Sequence, residues 1–271
     1  MNKMNNDLIQ HAKEKGTILC FGIDPVLEKI ESDKNSVREK IEDYYFKITD
    51  ALIKEKEIVA IKPNYAYFAQ YGFEGLYALK SIIERYKGNV EIILDAKRAD
   101  IGKTSMAYAR EAFDFYGVDA LTISPYMGED SVKPFLREGK LIYMLCRTSN
   151  KGAKNFQELE FACNGKKLYE FVAEKAVEWK TGLVVGATSD CIFKVIQITR
   201  SEVPFLIPGI GAQGGDLKLV MEAIKNNPCI HRINASSSIA FAYEKHKLTP
   251  VESALAETNM LNKEIKYCFP E

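Results

Sequence analysis

The run Ile92-Ile93-Leu94-Asp95-Ala96-Lys97-Arg98-Ala99-Asp100-Ile101-Gly102-Lys103-Thr104 carries an apolar, strand-like segment straight into alternating acid and base. Side chains alternate along a strand, so Asp95 and Lys97, two apart, are expected on one side, with Asp100 beyond the strand end. An unpaired buried charge is very costly, so such groups must hold one another ionised or meet a charged ligand. An ammonium fixed between carboxylates can stabilise a developing anion and then act as a general acid. The plainer reading is a salt bridge that closes a core strand.

Other polar residues fall at comparable places. Asp24 follows the apolar run Thr17–Ile23, Lys62 and Asn64 end the run from Ile58, and Thr148 and Ser149 follow Leu141–Arg147. Alone, Asp24 could be a turn or cap residue and Lys62 a surface lysine. With Asp95 and Lys97 they make two acids and two bases on three successive strand ends. Gly209–Gly215 has four glycines in seven residues, Gly211 among them, and contains Gln213. Its backbone amides can approach an anion closely.

The elements that must position these residues repeat along the chain. After a short polar helix over Met4–Glu14, eight apolar strand-like runs alternate with amphipathic helical segments, and a helical tail follows Leu248. Ser36 and Glu39 form a capping box for the first long helix, over residues 36–56. No Pro/Gly/Ser-rich linker divides the 271 residues, so they predict an α/β fold, a single (β/α)8 TIM barrel over 1–271, with a doubly wound sheet as the alternative. In a barrel, polar residues at strand C-terminal ends form the catalytic face. The polar stretch Ser149–Gly165 is a long connection, either a lid or a solvated insertion.

Composition narrows the function classes. Lys plus Arg and Asp plus Glu are both 37, and the absence of a long basic run argues against nucleic acid. The six cysteines form no C-x-x-C pair, and the three histidines lack metal-ligand spacing, so reduced thiols and no metal are expected. Nowhere do about 18 apolar residues run together, and the N-terminus has no apolar leader, so the expectation is a cytoplasmic protein that does not engage membranes.

Six motifs, in order, resemble the type 2 bacterial branch of the orotidine 5'-phosphate decarboxylase family: Phe21-Gly22-Ile23-Asp24-Pro25, Lys62-Pro63-Asn64, Asp95 through Thr104, Ser124-Pro125-Tyr126-Met127-Gly128, Arg147-Thr148-Ser149-Asn150 and Pro208-Gly209-Ile210-Gly211-Ala212-Gln213. The resemblance implies a carboxy-lyase of pyrimidine biosynthesis that converts orotidine 5'-phosphate to UMP without a cofactor. It implies catalytic roles for Lys97, Asp95, Asp100 and Lys62. Substrate contacts would come from Asp24, Asn64, Thr104, Thr148, Ser149, Gln213, Gly211 and Ser237. In that family the second Asp and the Thr, here Asp100 and Thr104, reach into a neighbouring subunit's site, which implies a homodimer with shared sites.

One position departs from the pattern. Where the family carries a phosphate-binding arginine in Asn-x-Ser-Arg-x-Ile, this chain reads Asn234-Ala235-Ser236-Ser237-Ser238-Ile239. Ser237 therefore bears on the phosphate grip and leaves two other readings open. One is a metal-dependent sugar-phosphate lyase of the same barrel superfamily, and the other is a nucleotide-phosphate binding protein whose site has decayed.

Overall fold

The computed structural model describes residues 3–188, 190–210 and 215–266. Eight parallel strands close into a barrel in chain order: β1 (Leu19–Ile23), β2 (Ala60–Pro63), β3 (Glu91–Arg98), β4 (Ala120–Ile123), β5 (Leu141–Arg147), β6 (Gly182–Val185), β7 (Phe205–Pro208) and β8 (Arg232–Ala235). β1 closes the ring, pairing Gly22 with Lys62 of β2 on one edge and Phe21 with Ala235 of β8 on the other. Helices cover the outer face, so these strands are buried on both sides and read as continuous apolar runs rather than as alternating ones.

Sequence explains the helical ring locally. The helix Val37–Lys54 starts on the Ser36–Glu39 capping box and buries Ile41, Tyr44, Tyr45, Ile48 and Leu52 on one stripe. Each such side chain contributes about 1.5–3 kcal/mol when fully withdrawn from water. The helix Gly102–Arg110 differs from the single regular helix its periodicity predicts. It widens into a π-helical segment, Glu111–Tyr116, before Gly117 ends it at φ 72°. The widening begins at Glu111, whose carboxylate is pinned by Arg98 at 2.7 Å.

The tail is part of the ring. The helix Pro250–Lys266 packs against Val37–Lys54, and its buried Asn262 donates to the carbonyl of Glu57 at 2.8 Å while accepting from the Thr17 hydroxyl. At the barrel's lower end, the helix Lys3–Lys15 lies over the strand N-termini. There the fully buried Arg232 donates to Glu91 at 2.8 Å, to the carbonyls of Cys229 and His231, and to the carbonyl of Leu8 in that helix. A cavity of about 920 Å³ opens beside it, lined among others by Asp7, His11, Glu91 and Trp179.

Candidate active site

Three strands bring the predicted charges together. Lys62 near the end of β2 donates to one Asp95 oxygen at 2.8 Å, and Lys97 donates to the other at 2.6 Å. The Lys62 side chain is 4% exposed and that of Lys97 48%, so one ammonium is sealed below the carboxylate and the other faces outward. Burial opposes ionisation of Asp95, but Lys62 and Lys97 outweigh it and hold its carboxyl well below the usual carboxylate range. Burial likewise disfavours the Lys62 ammonium, yet Asp95, and Asp24 after it, raise it above the ordinary lysine value.

Strand alternation alone does not produce this contact. β3 pairs with β4 at Leu94↔Leu121 and again at Arg98↔Ile123, so Asp95, Ala96 and Lys97 stand opposite Thr122 alone. The strand bulges there, and Lys97 takes a left-handed backbone at φ 47°, unusual for a residue with a Cβ. Thr122 bridges the gap, donating to Asp95 at 2.9 Å and accepting from the Lys97 amide at 3.0 Å. Beyond the bulge the Arg98 guanidinium lies 4.3 and 4.5 Å from the ring centres of Tyr65 and Tyr108, and its carbonyl accepts from the Ser124 amide at 2.9 Å.

The remaining predicted residues surround this triad or stand off from it. Asp24 lies just past β1 and Asn64 just past β2, the latter bridging to Asp95 through its backbone. Asp100 does not join the triad. Its carboxylate accepts from its neighbour Ile101 N–H at 2.8 Å, and Thr104 is exposed on the helix Gly102–Arg110. The Thr148 hydroxyl is engaged with Gln157 and Asn150 and thereby anchors the following loop. Ser149 follows it, and Gly186 lets the Ser149 backbone approach, since a Cβ at 186 would lie 2.7 Å from it. Ser237 opens the short helix Ser237–Ala240 and is exposed. Gly211 and Gln213 lie outside the described residues.

The stretch from Ser149 is more ordered than a solvated insertion. Arg147 pairs with Glu158 at 2.8 Å, Gln157 clasps Thr148, and Lys151–Asn155 forms a 3-10 turn. At this end of the barrel three buried polar atoms, Asp24 Oδ1, Asn234 Oδ1 and Ser238 Oγ, lack a hydrogen-bond partner. Groups of this kind suit a polar ligand seated over the strand ends. Ser236 fits beneath them because Gly22 has no side chain; a Cβ there would overlap the Ser236 hydroxyl.

Known proteins resemble this chain over most of its length. The sequence profile of the Orotidine 5'-phosphate decarboxylase / HUMPS family matches residues 17–247. The chain belongs to that family. It is 38% identical to the orotidine 5'-phosphate decarboxylase of Bacteroides fragilis over 265 residues, 95% of each chain. It is 40% identical to the enzyme of Parabacteroides distasonis over 250 residues, 89% of this chain and 88% of that one. The solved structure of Leishmania donovani OMP decarboxylase superposes with a TM-score of 0.77 at 33% identity, covering 97% of this chain and 99% of that one.

Orotidine 5'-phosphate decarboxylase motifs thus coincide with the strand ends that carry Asp24, Lys62 and the Asp95–Lys97 bulge. One part of the site escapes sequence reasoning. Thr122 reads as a β-branched filler in an apolar strand. A hydroxyl among Ala120-Leu121-Thr122-Ile123 was the available signal, because a buried hydroxyl needs a partner.

Proposed function

We propose that this chain removes the carboxyl group of orotidine 5'-phosphate to give UMP and works as a cytoplasmic homodimer with shared active sites. The observation that carries the activity is the outward-facing Lys97 ammonium held 2.6 Å from a carboxylate that a second, sealed lysine also grips. Cleavage of the bond between C6 and the carboxylate releases CO2 and leaves the electron pair on C6. The Lys97 ammonium stabilises that carbanion and then transfers a proton to it, with Lys62 keeping Asp95 ionised throughout. Asp24 takes the ribose, Asn64, Thr148 and Ser149 line the nucleoside, and the segment of Gly211 and Gln213, with Ser237, takes the phosphate. No group of three or more metal-ligating side chains occurs among the described residues.

Two observations support sharing between copies. Asp100 accepts from the Ile101 N–H rather than joining its own triad and Thr104 is exposed, and Ile101, Met106, Tyr126 and Met127 are exposed as well, Tyr126 at 80%. Apolar exposure of this kind suits a protein interface. The activity is tested by following the loss of orotidylate absorbance with purified protein in the presence of a chelator. Turnover that survives the chelator is expected. Chelator-sensitive turnover would favour a metal-dependent lyase, and UMP binding without turnover a decayed site.

A further inference from the structure

The catalytic lysine stands on a piece of backbone that the barrel's own ladder does not hold. Between Leu94 and Arg98 the β3–β4 pairing skips, and three residues face one. Lys97 lies in that gap with φ 47°, a conformation that costs a side-chain-bearing residue free energy and persists only where its surroundings enforce it. Its amide has lost its place in the ladder and needs another acceptor. The acceptor it finds is the Thr122 hydroxyl at 3.0 Å.

The same hydroxyl spends its one hydrogen on Asp95 at 2.9 Å. Asp95 Oδ1 therefore receives Thr122 and Lys97 Nζ together, while Oδ2 receives Lys62. Thr122 is 1% exposed, so it is shielded from solvent and lies under the triad rather than in the cleft. One buried oxygen thus fixes the backbone of Lys97 and the carboxylate that aims the Lys97 ammonium.

We infer that Thr122 is a positioning residue for decarboxylation: its hydroxyl locks the β3 bulge and the Asp95 carboxylate together, so that the Lys97 ammonium is held in line for C6. This rests on the activity proposed above. Thr122→Val removes the hydroxyl at nearly constant volume and suits a strand, whereas Thr122→Ser keeps it. A displacement of the proton donor by about 1 Å is enough to cost on the order of a hundredfold in rate.

The test combines hydrogen exchange at the Lys97 amide with steady-state kinetics and UMP binding on the full chain. Thr122→Val is expected to speed exchange at Lys97 by about tenfold, as loss of one hydrogen bond predicts, and to lower kcat by about tenfold to a hundredfold. The KM for orotidylate and the Kd for UMP should stay within about twofold, and Thr122→Ser should restore both exchange protection and kcat. If Thr122→Val does not fold, Thr122→Ala carries the same comparison. Unchanged exchange at Lys97 overturns the inference, as does faster exchange with kcat unaltered. Equal losses in Thr122→Ser and Thr122→Val also overturn it, since packing of the methyl group would then be the cause. Should the parent itself fail to turn over orotidylate, the proposed activity falls, while the exchange measurement still decides whether Thr122 holds Lys97.

Discussion

Among the described residues two ion pairs, Lys62–Asp95 and Arg232–Glu91, have both partners buried, and they differ in what is left over. At the lower end, Arg232 gives its donors to Glu91 and to three backbone carbonyls, one of them in the covering helix Lys3–Lys15. Both side chains are sealed, Arg232 fully and Glu91 to 6% exposure, although Glu91 lines the edge of the cavity of about 920 Å³. At the upper end, Asp95 is equally well satisfied, but Lys97 keeps half its side chain exposed and stands on strained backbone. Burial and charge alone do not distinguish a structural pair from a catalytic one. An unspent donor that faces the open end of the barrel does.

This contrast predicts that the two ends fail in different ways. Lys97→Ala should abolish turnover with little change in Tm, because the residue acts on charge that develops in the transition state. Measuring kcat beside thermal melting checks this, and activity within about tenfold of the parent, ~1.4 kcal/mol, would contradict the role. Arg232→Ala should do the reverse. Leaving Glu91 buried without its partner costs about 3–5 kcal/mol, which lowers Tm by on the order of 10 °C in a chain of this size. Below the new Tm, kcat should remain within about twofold of the parent.

The sequence made the upper end legible and hid the lower one. Asp24, Lys62, Asp95 and Lys97 each close an apolar run, so their common face follows from strand direction and barrel topology. Arg232 and Glu91 are 141 residues apart, and only the closed barrel brings them together. The bulge was also invisible, because two-residue spacing correctly paired Asp95 with Lys97 for a reason that the structure replaces. The pair meets through a break in the ladder that Thr122 repairs. Asp100 could be set beyond the strand by counting residues, but the partner proposed for it lies in a second copy of the chain.

Smaller effects sharpen the contrast further. Ser237→Arg should lower the KM for orotidylate by about tenfold, since a charge-assisted hydrogen bond contributes about 1.5–3 kcal/mol. The comparison should include Lys151→Ala and Lys154→Ala, whose exposed cations on the Ser149–Gly165 stretch are candidates to compensate. No change in any of these variants would move the phosphate away from Ser237. The effect that is smallest at neutral pH lies at the lower end. Burial, with the Arg232 charge adding to it, lowers His231 from 6.5 to about 3. The unfolded chain therefore binds a proton there that the folded chain refuses. Its contribution to stability is full above pH 6.5 and is lost as pH falls toward 3. His231→Asn should flatten the decline of Tm across that window, and an unaltered slope would assign the decline to other groups.

One mixture asks whether Lys97 and Asp100 complete a single decarboxylation site across two chains. Lys97→Ala and Asp100→Ala proteins, each inactive, are combined under conditions where subunit exchange is demonstrated, and the loss of orotidylate is followed. A mixed dimer would hold one intact site and one doubly broken site, so statistical pairing predicts recovery of about a quarter of the parent activity. No recovery despite demonstrated exchange would contradict a site built from both chains.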